Sequence, residues 1–483
     1  MTVIAPRTAF FPPNLEQDRD DVLIVREVPW RDPLVAFTPF AEDPVAALLH
    51  GDGADELGRW SYLAASPFTT LTVDAELNTL IDGNPVTGDA FHLLDELLSR
   101  YRSIATTGPA PFCGGAVGFF GYELGRLLED LPTPRQGATS PAMVVGLYDV
   151  VAAFDHVDRR AWVIATGFPE TDIDCRAARA HQRAQWLIEQ IKGASPAAPN
   201  KIEARWSADR TCEDIERAIE DTIEYINAGD VFQANMTQRY TAEKPADVTA
   251  WDLFRRLRQT VSSPFGAYIA GTSEFQILSA SPERFLQVTR DGNVETRPIK
   301  GTRPRHTDPA VDAALARELK HSAKDQAENL MIVDLMRNDI SRVCDSGSVS
   351  VPQHCAVETF ARVHHLVSVV TGQLDQGKTA VDLLRACFPG GSVTGAPKVR
   401  AMEIIHELEP VARGPYCGAI GWIGFDGAMD SSIVIRNLTV DGGRVIAQAG
   451  GGIVADSIPA LEYEEAMVKI RPLLSVLDST ALA

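Results

Sequence analysis

Cysteine is scarce in this chain, and its placement gives no pairing pattern. Seven thiols lie at positions 113, 175, 212, 344, 355, 387 and 417, and no Cys-x-x-Cys pair occurs. An odd, scattered set excludes a disulfide-stapled scaffold and argues against a zinc site; it fits reduced thiols in a cytoplasm. Basic residues are also in deficit, with 45 Lys and Arg against 65 Asp and Glu, a net charge of −20. Such a surface repels phosphate backbones, so nucleic acid is a poor candidate partner. No uninterrupted apolar run approaches the roughly 18 residues that read as a membrane span. The opening segment, Met1 to Pro13, holds no long apolar stretch, so no secretory leader is expected. A Gly-x-Cys-x-Gly nucleophile elbow is missing as well; Cys113, followed by Gly114 and Gly115, does not fit it.

What remains is an ordinary globular composition, 45% apolar and 23% charged. A length of 483 residues exceeds one simple core and implies two domains or one large composite one. The clearest seam is KGASPAAPNK at 192–201, rich in Pro, Ala and small polar residues. It divides an N-terminal region, 1–195, from a C-terminal region, 202–480, although the two parts need not be separable. Strand-like runs occur at 21–28, 68–73, 143–154, 265–271 and 276–281. Helical periodicity marks 174–191, 214–228, 326–336, 398–408 and 459–477. Near the end, Asp426-Gly427 lies between the runs 417–425 and 432–440, and Asp441-Gly442-Gly443 follows. Asp-Gly between apolar runs is a strong hairpin signal. Antiparallel hairpins with interspersed helices predict an α+β fold.

Several residues stand out chemically. Gly390-Gly391-Ser392-Val393-Thr394-Gly395-Ala396-Pro397-Lys398 resembles a phosphate loop but lacks Lys and Ser/Thr directly after its last glycine. It reads either as a tight turn or as an anion cradle before a helix. Gly450, Gly451 and Gly452 would let a ligand approach the backbone; they also read as turn glycines. Glu462 and Glu465 share one helix face. Glu328 sits in an otherwise apolar helix, where a carboxylate is costly unless paired or metal-bound. Such carboxylates suit magnesium, or simply salt bridges. Lys300, in a stiff Pro-Ile-Lys-Gly setting, becomes a nucleophile if desolvated and otherwise pairs with an acid. Glu283 reads as a general acid or as a partner of Arg284. His365 reads first as a core histidine. Arg436 interrupts a strand and is able to grip a carboxylate bidentately.

Seven ordered stretches, FQANMTQRY at 232–240, ASPERF at 280–285, PIKGTR at 298–303, AENLMIVDLMRND at 327–339, VHHLVS at 363–368, PGGSVTGAPK at 389–398 and AGGGIVADSIPALEYEE at 449–465, resemble the chorismate-utilising enzymes. That family includes the anthranilate, aminodeoxychorismate, isochorismate and salicylate synthases. The match is dense from about residue 215 to 475 and weaker in the N-terminal part, where GGAVGFFGYE at 114–123 agrees. The resemblance implies a large antiparallel β-sandwich core flanked by outer helices. It also implies a magnesium ion held by Glu328 and Glu465, with Glu462 adjacent or acting through water.

Where isochorismate and salicylate synthases carry a water-activating lysine, this chain has Gln233. Where anthranilate synthases carry alanine, it has Lys300, the form of the aminodeoxychorismate branch. The early Leu-Leu-Glu-Ser of a tryptophan feedback site is here Leu48-Leu49-His50-Gly51, so such feedback is not expected, while the resemblance leaves structural binding of tryptophan in the N-terminal part open. By the same resemblance, Lys300 is the nucleophile and Glu283 protonates the leaving hydroxyl. Arg436, Tyr416, Lys469, Thr394, Gly395, Ala396, Gly450, Gly451 and Gly452 bind substrate, and His365 orients it. The expected activity is chorismate amination. Ammonia would come from a separate glutamine amidotransferase, and a further enzyme would make p-aminobenzoate for folate or another pathway. The alternatives are anthranilate synthesis or an inactive chorismate-binding scaffold.

Overall fold

The computed structural model describes residues 22–53, 55–102, 108–133, 140–193, 204–272, 274–360 and 363–477. Most of the linker expected at 192–201, and all of 1–13, lie outside these.

Two large antiparallel sheets face each other. In the first, the strand order is Ile24–Val28, Arg160–Ala165, Val150–Asp155, Trp60–Ala64, Ala47–His50, Phe265–Thr272, Phe275–Ser281, Asn437–Asp441, Arg444–Ile453, Gln233–Glu243 and Ser207–Ala208. The second runs from Ile299–Pro304 through Val363–Gln373, Asn293–Thr296, Arg284–Val288, Met429–Ile433, Ala419–Gly424, Gly115–Phe120, Met143–Tyr148, Thr69–Val73 and Thr79–Ile81 to Asn84–Val86. Each sheet therefore contains strands from both parts of the sequence. The joins are Ala47–His50 against Phe265–Thr272 and Gly115–Phe120 against Ala419–Gly424.

Side-chain alternation explains why the central strands are apolar on both faces. Along Met143–Tyr148, Val144 and Tyr148 pack between the sheets, whereas Met143, Val145 and Leu147 face the outer helices. Along Arg160–Ala165, Trp162 and Ile164 point inward, and Ala161, Val163 and Ala165 meet the helical layer of the first sheet. That layer includes Ile173–Lys192 and Ala250–Thr260. The second sheet is covered by Ala90–Arg100, Ala323–Ser341 and Ala380–Cys387. Thr211 and Asp214 close a reciprocal capping box on Cys212–Ala228, and Gly229 ends that helix in the left-handed region at φ 88°. No helix among the described residues is long and apolar enough to cross a membrane.

Two runs that the sequence reads as single strands are each broken across the two sheets. The apolar run 143–154 divides at Asp149, which is fully buried and paired with Arg179 and Arg183, each at 3.0 Å. The run 432–440 divides into Met429–Ile433 and Asn437–Asp441, with Arg436 at φ 51° between them. Hydrophobic pattern does not register such a break, because both pieces remain buried on two faces. The Asp441-Gly442-Gly443-Arg444 hairpin forms as expected, with both glycines at positive φ.

Removing the Asp149 carboxylate should leave two arginines at the crossover without their anion. Asp149→Ala is expected to destabilise the fold by about 3 kcal/mol, read as a lower urea midpoint at unchanged slope.

Candidate active site

The candidate site forms where two neighbouring strands change sheets together. Phe275–Ser281 pairs with Asn437–Asp441 in the first sheet, and Arg284–Val288 pairs with Met429–Ile433 in the second. The crossing segments hold Glu283 and Arg436. Each is tied to the neighbouring chain: Ile433 N–H donates to the Glu283 carbonyl at 3.1 Å, and Ala280 N–H to the Arg436 carbonyl at 3.1 Å. The left-handed backbone of Arg436 costs energy in a non-glycine residue. No hydrogen bond or ion pair engages its guanidinium among the described residues, and burial lowers its pKa. It is a desolvated cation, suited to an incoming carboxylate.

Glu283 is 7% exposed. Burial raises its carboxyl pKa from an ordinary 4.5 to about 7, against the opposing pull of the Ser392 hydroxyl, Lys300 and the Ile299 backbone. At neutral pH such a group holds a proton it is able to release. It does not pair with Arg284, which grips Asp430 through two bonds of 3.0 and 2.9 Å and reaches Glu295 at 3.2 Å.

Lys300 lies on the edge strand Ile299–Pro304, one residue before a bulge. Gly301 supplies the bulge with φ 76°, and a β-carbon there would lie 2.8 Å from both Asp325 and Leu319. Lys300 keeps only partial exposure. Burial lowers its pKa, Glu328, Glu283 and Glu465 oppose that shift, and Lys469 reinforces it. The amine thus feels the charge of three acids and one base, all singled out in the sequence. Across the strand, His365 accepts from or donates to the Thr302 hydroxyl at 2.9 Å. Burial and Arg436 hold its pKa at about 4, so the ring is neutral.

The glycine segments work by close approach. A β-carbon on Gly450 would meet the Met236 carbonyl, and one on Gly452 would lie 2.6 Å from Gln233 Nε2. Gly451 faces Glu462 and Lys469. Lys469 donates to the Gly450 carbonyl at 3.0 Å and pairs with Glu465 at 2.9 Å. The Gln233 amide is fully buried, and among the described residues neither its oxygen nor its nitrogen finds a hydrogen-bond partner; such an amide is costly unless something enters to bond it.

The loop at 390–398 is built differently from a simple helix-end cradle. Gly395 and Ala396 pair as a short strand with Ala234 and Gln233. The Thr394 hydroxyl is spent on the Gly390 carbonyl at 3.1 Å. Lys398 turns away to Asp339 at 2.7 Å. Tyr416 is buried in the second sheet's helical core; burial, Cys417 and Glu409 raise its pKa well above the usual value, against the pull of Arg413.

Glu328 on Ala323–Ser341 and Glu462 and Glu465 on Pro459–Leu474 face one another. Their chemistry, hard carboxylate oxygens from two helices, fits magnesium, and among the described residues Glu328 Oε1 is buried without a hydrogen bond. Yet among the described residues no three His, Cys, Asp or Glu side chains close on a point tightly enough to hold a metal. Between two of these acids stands a residue that sequence reasoning passes over. Lys324 Nζ lies 2.8 Å from Glu462 Oε1 and 3.9 Å from Glu328 Oε1. Its i,i+4 spacing to Glu328 is the available signal. Ser392, beside Glu283, is missed as well.

With this geometry in place, the comparisons define the class. Residues 53–475 match the chorismate binding enzyme model, and the chain belongs to that family. It is 44% identical to aminodeoxychorismate synthase component 1 of Klebsiella aerogenes, over 94% of this chain and 98% of that one. It is 38% identical to anthranilate synthase component 1 of Pseudomonas aeruginosa, with 91% of each covered. The crystal structure of anthranilate synthase component I from Streptococcus pneumoniae TIGR4 superposes with a TM-score of 0.76 at 31% identity, covering 88% of this chain and 98% of that one. The isochorismate synthase MenF of Escherichia coli shares the fold, with a TM-score of 0.70 at 18% identity over 95% of each chain.

Because Glu283 binds its proton more tightly folded than unfolded, its contribution to stability is complete below about pH 4.5 and is lost as pH rises through 7. Glu283→Gln should therefore raise stability at pH 8 by up to about 3 kcal/mol, with no gain at pH 4.5, in parallel urea titrations.

Proposed function

We propose that this chain is the chorismate-aminating component of an aminodeoxychorismate synthase, with Lys300 as its nucleophile. The observation that carries the reading is the Lys300 amine on its bulged edge strand, withdrawn from solvent and within electrostatic reach of Glu283, Glu328, Glu465 and Lys469. Desolvation favours the neutral amine, which is the reactive form. The relatives named aminodeoxychorismate synthase component 1 align over nearly the whole chain.

In this mechanism Arg436 and Lys469 grip the substrate carboxylates, and the backbone at Gly450, Gly451 and Gly452 lets the ring lie close. Thr394, Gly395 and Ala396 support the strand that carries Gln233, and Tyr416 backs the pocket from the core. The Lys300 nitrogen bonds to ring C2 as the C4 hydroxyl departs, taking its proton from Glu283 and leaving as water. Ammonia then adds at C4, the double bond returns, and the Lys300 bond breaks. The enolpyruvyl ether survives. Neutral His365 orients the ring without delivering a proton. Gln233, bearing no charge, activates no water, so hydroxylation does not compete. A magnesium ion held by Glu328, Glu462 and Glu465 would offset a substrate carboxylate and order the ring.

Ammonia reaches the site from a partner glutamine amidotransferase, consistent with the component 1 naming of the relatives. The protein works in the cytoplasm, and its aminated product still carries the enolpyruvyl group that p-aminobenzoate lacks.

Pure chain, chorismate, magnesium and ammonium should yield aminodeoxychorismate with no pyruvate until a lyase is added; immediate pyruvate release would instead mark anthranilate synthesis, and no turnover would mark a scaffold. Lys300→Ala should lower the amination rate about 10³-fold or more, and Glu283→Gln about 10²- to 10⁴-fold. Unchanged rates would refute the roles given to them.

A further inference from the structure

Lys324 has no role in the mechanism above, yet its position is unusual for a lysine. It is the second residue of the helix Ala323–Ser341, where the positive end of the helix dipole disfavours a cation. What holds it there is the carboxylates of the site. The ammonium donates to Glu462 Oε1 at 2.8 Å, where Ser457 also donates at 2.8 Å, and stands 3.9 Å from Glu328 Oε1. Glu462 is on another helix, so the lysine bridges the two elements that carry the acids. Glu328 Oε1, buried and without a hydrogen bond, faces this ammonium at a distance too long to bond it.

We propose that the Lys324 ammonium is a resident counter-ion that occupies the Glu328–Glu462 gap before a divalent cation loads, and that it must swing out for the cation to bind. The proposal rests on the magnesium reading of the site. Without some cation, three carboxylates would repel one another across the cleft and push the helices Ala323–Ser341 and Pro459–Leu474 apart. One ammonium satisfies them in part, and its flexible stem, with the side chain 46% exposed, leaves a route to solvent. A divalent ion brings twice the charge and more coordination positions, so it wins the carboxylates once the lysine has moved. The exchange keeps the helices in register in both states. It also tunes loading, because every ion must displace a competitor that is always present.

The test uses the full chain without chorismate. Manganese binding is measured by electron paramagnetic resonance for wild type and Lys324→Met. In parallel, wild-type lysines are acetylated with and without saturating magnesium, and each site is quantified by peptide mass spectrometry. The expected results are manganese affinity higher by about tenfold or more in Lys324→Met, and a rise in wild-type Lys324 acetylation when magnesium is added. Equal affinity in the two proteins would overturn the proposal while leaving the metal reading intact. Tighter binding with unchanged Lys324 acetylation would also overturn it, since the lysine would then act only through space. Failure of the wild type to bind manganese would overturn both. The acetylation arm needs only the wild type, so it holds even if the variant folds poorly.

Discussion

The candidate site depends on withdrawing an amine and a carboxyl from water within electrostatic reach of each other. Burial pushes Lys300 down and Glu283 up, the two shifts favouring the neutral form of each. Neither group is shielded by its own strand. Lys300 is on an edge strand and Glu283 on a crossing segment, so each relies on walls supplied by the other sheet's extensions, by the glycine strand 450–452 and by the helix of Glu465. The antiparallel sandwich matters for this reason. Two strands change sheets side by side, and the chemistry occupies the opening they leave.

The cost of that arrangement is visible around it. Arg436 adopts a left-handed backbone, and among the described residues neither the Gln233 amide nor Glu328 Oε1 finds a hydrogen bond. Native proteins rarely leave such groups unsatisfied. These three belong to the candidate site, and each would find a chemical complement in a small dianion or its counter-ion. Two structural pairs elsewhere are complete by comparison. Arg413 and Glu409 close a buried two-bond pair, and Arg284 does the same with Asp430.

Much of the site is readable in the chain because its residue types are chemically costly where they stand. A glutamate in an apolar helix and a lysine between Pro-Ile and Gly both announce a reason for being there. The Asp-Gly hairpins and the helix 398–408 are legible from local rules alone. What fails is long-range. The apolar run 143–154 carries no mark that Asp149 sends its two ends to different sheets, because the arginines that decide it come from the later helix Ile173–Lys192. The run 432–440 looks continuous for the same reason. Arg284 looks like the partner of Glu283 because they are adjacent; the fold instead gives Arg284 to Asp430, 146 residues away. Lys324 escapes notice because one helical turn of spacing to Glu328 is common on solvent-facing helices, and only the approach of a second helix gives it meaning.

The sharing of both sheets by the two parts of the chain bears on how the polypeptide is made. When Ala165 has just left the ribosome, Ala47–His50 and Gly115–Phe120 still lack their outer neighbours, Phe265–Thr272 and Ala419–Gly424, which are yet to be synthesised. Open, apolar strand edges of that kind invite pairing with any passing chain. The nascent first part therefore keeps these two edges open until residues 265–272 and 419–424 have been made.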